Sequence, residues 1–216
     1  MSLYVDLAPV EAEKRWGVAL GGPIWRDRLF FFGAYEKQTA GNSQDDGPAG
    51  GGYANEIASV TVEQFNEISQ VLSSVYGIDT GPLVTNRPFS NERLFGRADW
   101  QITDDHRFEA TYQRLKESTM RSDDFFTGSS PQVTGANTFL FSGTDSKYYS
   151  GRLYSTWTDR LSTEFRYSHA DIQDLQDPVG GGEAQSDNPI PRIVVGIANG
   201  PGNADDGAVS AGPGFS

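Results

Sequence analysis

The chain has 216 residues, enough for one or two ordinary domains, with 25 Gly, 12% aromatic residues and no Cys. Disulfide scaffolds, thiolate nucleophiles and Cys-ligated zinc are therefore excluded, and Leu, Ile, Val and Phe, 47 residues in all, argue against wholesale disorder. A net charge of −12 leaves no basic excess to release counterions from a phosphate backbone, so no nucleic-acid partner is expected.

Residues 1–15 carry neither a basic segment nor an apolar segment of the kind a secretory signal needs. The longest apolar run is Leu29 to Phe32, far short of a membrane helix. A transmembrane β-barrel escapes this test, because its strands alternate. Six segments do read as strands, paired into hairpins over 14–38, 91–117 and 146–172. The pairs are 14–21 with 28–38, 91–102 with 106–117, and 146–158 with 161–172. Most match the length a tilted strand needs to cross a bilayer.

Within the segments the period is two, which places alternate residues on opposite faces of a sheet. Leu94, Gly96, Ala98, Trp100 and Ile102 share a face, opposed by Arg93, Phe95, Arg97, Asp99 and Gln101. Phe108, Ala110 and Tyr112 oppose Arg107, Glu109, Thr111 and Gln113. Leu153 and Trp157 oppose Arg152 and Tyr154, while Phe165 and Tyr167 oppose Glu164 and Arg166. Pairing Trp100 with Phe108 also pairs Ala98 with Ala110 and Gly96 with Tyr112; a slip of one residue would set Trp100 against a charge. The turns within hairpins are short, and Trp25, Trp100 and Trp157 lie beside them. The connections over 39–90, 118–145 and 173–216 are long. Short turns with aromatics beside them, alternating with long loops, match the two rims of an outer-membrane barrel. A soluble antiparallel sheet alternates in the same way, and it is the competing architecture.

In the first long loop, Thr61 with Gln64 forms a capping-box signature, Val62, Phe65, Ile68, Val71, Leu72 and Val75 recur at helical spacing, and Gly77 suits the exit. The helix either packs on the loop or barrel rim or forms part of a ligand site. The last 40 residues, which contain one apolar patch at 190–197, read as an extended loop. Asp45-Asp46 and Asp205-Asp206 lack calcium-loop spacing and read as solvated tips. His106 and His169 fall near opposite ends of the sheet, so no shared metal site is expected. No nucleophile elbow, zinc-protease or P-loop spacing occurs, which argues against an enzyme and against a bound cofactor.

The run GGPIWRDRLFFFGAYE from Gly21 to Glu36 resembles a hairpin of TonB-dependent outer-membrane receptors of the Oar-like, carboxypeptidase-regulatory-like subgroup. The run NERLFGRADWQITDDHRF from Asn91 to Phe108 is similar to the following hairpin of that family. The resemblance implies a segment of a barrel of about 22 strands plugged by a separate domain. It implies import of an unknown ligand through the outer membrane, driven by the TonB complex acting on a plug domain that this chain does not contain. The fold expected is all-β: about six strands of an antiparallel up-and-down transmembrane barrel, incomplete in itself, spanning 1–216. Arg93, Arg97, Asp99, Glu109, Arg152, Glu164 and Arg166 would face the lumen, as ion pairs or as ligand contacts. Leu94, Ala98, Trp100, Phe108, Tyr112, Leu153, Trp157 and Phe165 would meet outer-membrane lipid, with Trp25, Trp100, Phe108 and Trp157 at the interface. The alternative function is a soluble β-rich binding or adhesion module with long recognition loops.

Overall fold

The computed structural model describes residues 12–122, 132–182, 186–198 and 207–213. Alternation of side chains produces six long antiparallel strands: β1 (Lys14–Trp25), β2 (Leu29–Ser43), β5 (Asn86–Gln101), β6 (His106–Ser122), β8 (Phe139–Thr158) and β9 (Leu161–Pro178). They form one sheet in the order β1-β2-β5-β6-β8-β9, an up-and-down meander in which every neighbour pair is antiparallel. The fold is all-β with a single α-helix among the described residues. The sheet is open, with β1 and β9 as its edges.

All six expected strands are present, and most are longer at the end away from the short turns. β5, β6, β8 and β9 run 16–20 residues, against about 9–11 for a bilayer crossing. Residues 39–43, 86–90, 118–122, 139–145 and 173–178, expected in loops, belong to strands because cross-strand pairing continues through polar sequence. The register matches the alternation, with Trp100 opposite Phe108, Ala98 opposite Ala110 and Gly96 opposite Tyr112. Gly143 shows how tightly β8 and β6 approach: a Cβ there would overlap the Glu117 carbonyl oxygen.

The long connections form a small cap. β3 (Asp46–Ala49) pairs parallel with β4 (Asn55–Thr61), which leads into α1 (Val62–Tyr76). Thr61 caps the helix as expected: its Oγ1 accepts from the Gln64 amide at 3.2 Å, and Gln64 Oε1 accepts from the Thr61 amide at 2.9 Å. Gly77, at φ 69°, closes the helix in the left-handed region, with its amide on the Ser73 carbonyl. β7 (Gln132–Thr134), β10 (Ile193–Ile197) and β11 (Gly207–Ala211) make a three-stranded sheet with β11 central.

Val60, Phe65, Val133 and Val209 form the cap core, and Ile57, Ile68, Leu83 and Ile197 pack around it. A second cluster of Val84, Met120 and Phe139 joins the cap to the ends of β6 and β8. The helix thus packs on the loops, one of the two roles expected for it. The extended loop expected at the C-terminal end is corrected: 193–197 and 207–211 are paired strands, and β11 is buried along its length. Small residues made that segment read as loop, yet Ala208, Val209 and Ala211 fit a crowded interior where larger side chains would not. Asp205-Asp206 lies outside the described residues.

Candidate functional site: the two faces of the sheet

The register sorts side chains into rows that cross all six strands. Nearest the short turns lies Trp25–Leu29–Trp100–Phe108–Leu153–Phe165, apolar from edge to edge. Next come Gly22–Phe31–Ala98–Ala110–Gly151–Tyr167 and then Leu20–Gly33–Gly96–Tyr112–Tyr149–His169. Trp157 completes the turn-side border, with its Nε1 donating to Thr163 at 2.9 Å and its ring edge-on to His106 at 5.1 Å. Tyr35 and Trp16, with centroids 5.3 Å apart, and Tyr112 and Tyr149, 5.0 Å apart, stand at the opposite border.

Much of this face is uncovered: Leu20 is 68% exposed, Phe165 67%, Val18 61% and Trp157 59%. The expected lipid-contacting residues all lie on it. Monomers in water rarely expose a continuous apolar surface of this width, which is more usual where a protein, a ligand or a membrane makes contact.

Beyond the tyrosines the same face becomes charged within one row. Val18–Tyr35–Leu94–Arg114–Lys147–Asp171 is followed by Trp16–Lys37–Glu92–Lys116–Asp145–Gln173. Lys37 Nζ lies 2.7 Å from Glu92 Oε1, Arg114 forks onto Asp145 with Nε at 2.8 Å, and Lys147 stands 3.9 Å from Asp171. These residues went unremarked in the sequence reading. Running the β5–β6 register toward the long loops would have found them, since they continue the same alternation.

The opposite face is polar and holds every expected lumen residue. Asp99, Glu109, Arg152 and Arg166 fall in one row across β5, β6, β8 and β9. Arg97, one step away, forks onto Asp99 at 2.7 and 2.8 Å and reaches Glu109 at 3.0 Å. Arg152 donates to the Tyr154 hydroxyl at 3.4 Å, and Arg166 lies 3.9 Å from Glu164. Arg93 is set apart, 3.7 Å from Glu36, whose carboxylate Arg15 also clasps at 2.8 and 2.9 Å. A hollow of about 510 Å³ lies over this second cluster, lined by Arg15, Glu36, Arg93 and Gln113 among others. Phe32 and Phe95, 6.0 Å apart, interrupt the polar surface between the two clusters.

Most of these are ion pairs open to solvent, the kind that order a surface more than they stabilise it, while Glu109 is buried and Arg152 has the Tyr154 hydroxyl in place of a carboxylate. They present carboxylate and guanidinium groups but no nucleophile beside a base. Among the described residues no group of three His, Asp or Glu side chains is placed to hold a metal ion. Asp45 accepts from Ser43 Oγ at 2.7 Å, an ordinary local turn contact. His106 and His169 are separated along β8, opposite Ser155 and Tyr149, though His169 is mid-strand and not near the strand end as expected, because β9 runs on to Pro178. No helix among the described residues is long and apolar enough to cross a membrane, which says nothing about crossing by strands.

Comparison with protein-family models, with curated proteins and with solved structures gave no match to this chain.

Proposed function

We propose that this chain is a wall segment of an outer-membrane β-barrel with folded outer loops, of the TonB-dependent receptor type, taking part in import of a ligand across that membrane. The supporting observation is the banded face: three successive rows, apolar or aromatic apart from His169 at their edge, with tryptophan at one border and tyrosine together with Trp16 at the other, followed by rows into which charges enter, first on β6, β8 and β9 and then across the centre of the sheet. Bilayers select this pattern, because apolar side chains fill the hydrocarbon and amphipathic rings settle at its borders. Water selects no such borders. In this reading the ion-paired face looks into the lumen, and the cap of β3, β4, α1, β7, β10 and β11 lies outside the cell. The sheet edges β1 and β9 are where further strands would join the wall. The receptor type, and with it the energy from the TonB complex, rests on the resemblance of the two hairpin motifs.

The experiment is depth-dependent fluorescence quenching. The full chain is refolded with phosphatidylcholine vesicles carrying bromine at defined positions along the acyl chains. The expected result is strongest quenching of tryptophan by shallow bromines, since Trp25, Trp100 and Trp157 border the band. A chain that stays monomeric in buffer, melts cooperatively and shows no quenching would overturn the membrane reading in favour of a soluble binding module.

A further inference from the structure

All four lysines of the sequence lie on the apolar face of the sheet, in three adjacent rows just beyond the tyrosine border. Lys147 stands beside Arg114, Lys37 and Lys116 flank Glu92, and Lys14 lies one row further out, opposite Thr39. The thirteen arginines are spread over both faces, the short turns and the cap. The chain as a whole carries −12, yet this strip reverses the sign: Lys14, Lys37, Arg114, Lys116 and Lys147 outnumber Glu92, Asp145 and Asp171. Lys14 and Lys116 are exposed and have no ion-pair partner among the described residues. Beside Lys116 is a hollow of about 490 Å³, lined by Ser90, Ser118 and Phe141, with Glu92 and Asp177 also on its walls.

We infer that this strip holds the phosphate groups of anionic lipid headgroups on the long-loop side of the membrane. The inference rests on the membrane reading above and gives it a lipid chemistry. Three arguments carry it. The first is depth. From Trp100 to Glu92 is eight residues along β5, about 27 Å of strand and about 20 Å along the bilayer normal at the usual tilt. A lysine stem bridges most of the remainder to the phosphate level, with its methylenes against the band and its ammonium in the headgroups. The second is residue type. On the polar face arginine is used for planar forks onto carboxylates, as in Arg97 with Asp99. A flexible stem ending in a compact ammonium suits a mobile phosphate instead. The third is continuity: the strip abuts the apolar band along the whole sheet, so one amphiphile can lay its chains on the band and its phosphate on a lysine.

The test compares partition of the full chain into phosphatidylcholine vesicles with partition into vesicles containing 30 mol% phosphatidic acid. The K116Q/K147Q double variant is set beside R26Q/R160Q, which removes the same charge at the exposed short-turn ends. We expect tighter partition into the anionic vesicles, weakened about 30-fold by K116Q/K147Q and little changed by R26Q/R160Q, at about fivefold per cation. Raising the salt should weaken partition of the wild-type chain into anionic vesicles only, a readout that does not depend on a variant folding. Equal partition of the wild type into both vesicle types would overturn this inference and leave the membrane reading standing. No partition into either would overturn both. Equal losses in the two double variants would reduce the effect to net charge and overturn the assignment to this strip. Protection of the lysines from acetylation by free inorganic phosphate as complete as that by anionic vesicles would mark a soluble-anion site and overturn the lipid assignment.

Discussion

Tyr53 shows what a single buried polar side chain contributes to the cap. Its ring is 8% exposed and its hydroxyl donates to the Val84 carbonyl at 3.0 Å, tying the β3–β4 loop to the segment before β5. Burial pushes the phenol above its ordinary value, because phenolate is poorly solvated there. The folded chain therefore keeps the proton at a pH where the unfolded chain has released it. The stabilisation is complete below the unfolded value of about 10 and is lost as pH rises through the folded one. Tyr53→Phe should cost about 1 kcal/mol at neutral pH, since Val84 loses its donor. It should also flatten the alkaline decline of cap stability. Urea melts followed at 222 nm, where α1 dominates the cap signal, check both effects. At this scale the sequence placed Arg93, Arg97, Asp99, Glu109, Arg152, Glu164 and Arg166 on one face but named neither Arg15 nor Glu36 beside them, nor any partner: Arg97 with Asp99 is a neighbour contact on one strand, whereas Arg15 with Glu36, and Arg114 with Asp145 on the other face, need the pairing of separate strands.

At the scale of elements, the hairpins were legible and the cap was not. A strand with one apolar face declares its register, because any slip moves every side chain to the wrong side. A pair of cysteines makes that register measurable in a chain that has none of its own. Ala98→Cys with Ala110→Cys should cross-link rapidly on mild oxidation, since the two residues are directly opposed. Ala98→Cys with Thr111→Cys, offset by one and on the other face, should stay reduced; gel mobility without reductant reads the outcome. The cap strands carry no such declaration. β3, β7 and β11 are 3–5 residues long, and two of the pairings, β3 with β4 and β11 with β7, are parallel, the second joining distant parts of the chain. Short, small-residue strands of this kind are defined by what covers them. α1 could be read in advance because its caps and its spacing are local, a capping box at one end and glycine at the other.

For the whole molecule, the sheet turns a broad apolar surface outward while its compact hydrophobic cores lie in the cap and at the cap–sheet junction. A soluble domain would bury that surface, whereas a membrane wall leaves it for lipid. Tyr167→Arg separates the two cases. Tyr167 lies in the middle row of the band and is 61% exposed. In a bilayer the substitution should lower stability by about 2–4 kcal/mol, the cost of arginine on a lipid-facing strand near mid-depth. On a solvated sheet it should stay within about 0.5 kcal/mol, as for other exposed positions. Urea unfolding from phosphatidylcholine vesicles distinguishes the two outcomes.

The sequence by itself determined the six long strands, the register of the central hairpin, the two contrasted faces and the helix, because each is encoded within one or two neighbouring segments: a period of two, a short turn, a capping pair. That the hairpins join into one meander, with β2 beside β5 and β6 beside β8, followed from the resemblance and not from any spacing in the chain, and only the tertiary structure decided that the loops close over a shared core. It alone brought every lysine into one strip. Those features depend on contacts between residues far apart in the chain, where local spacing carries no information and the best available burial selects the partner.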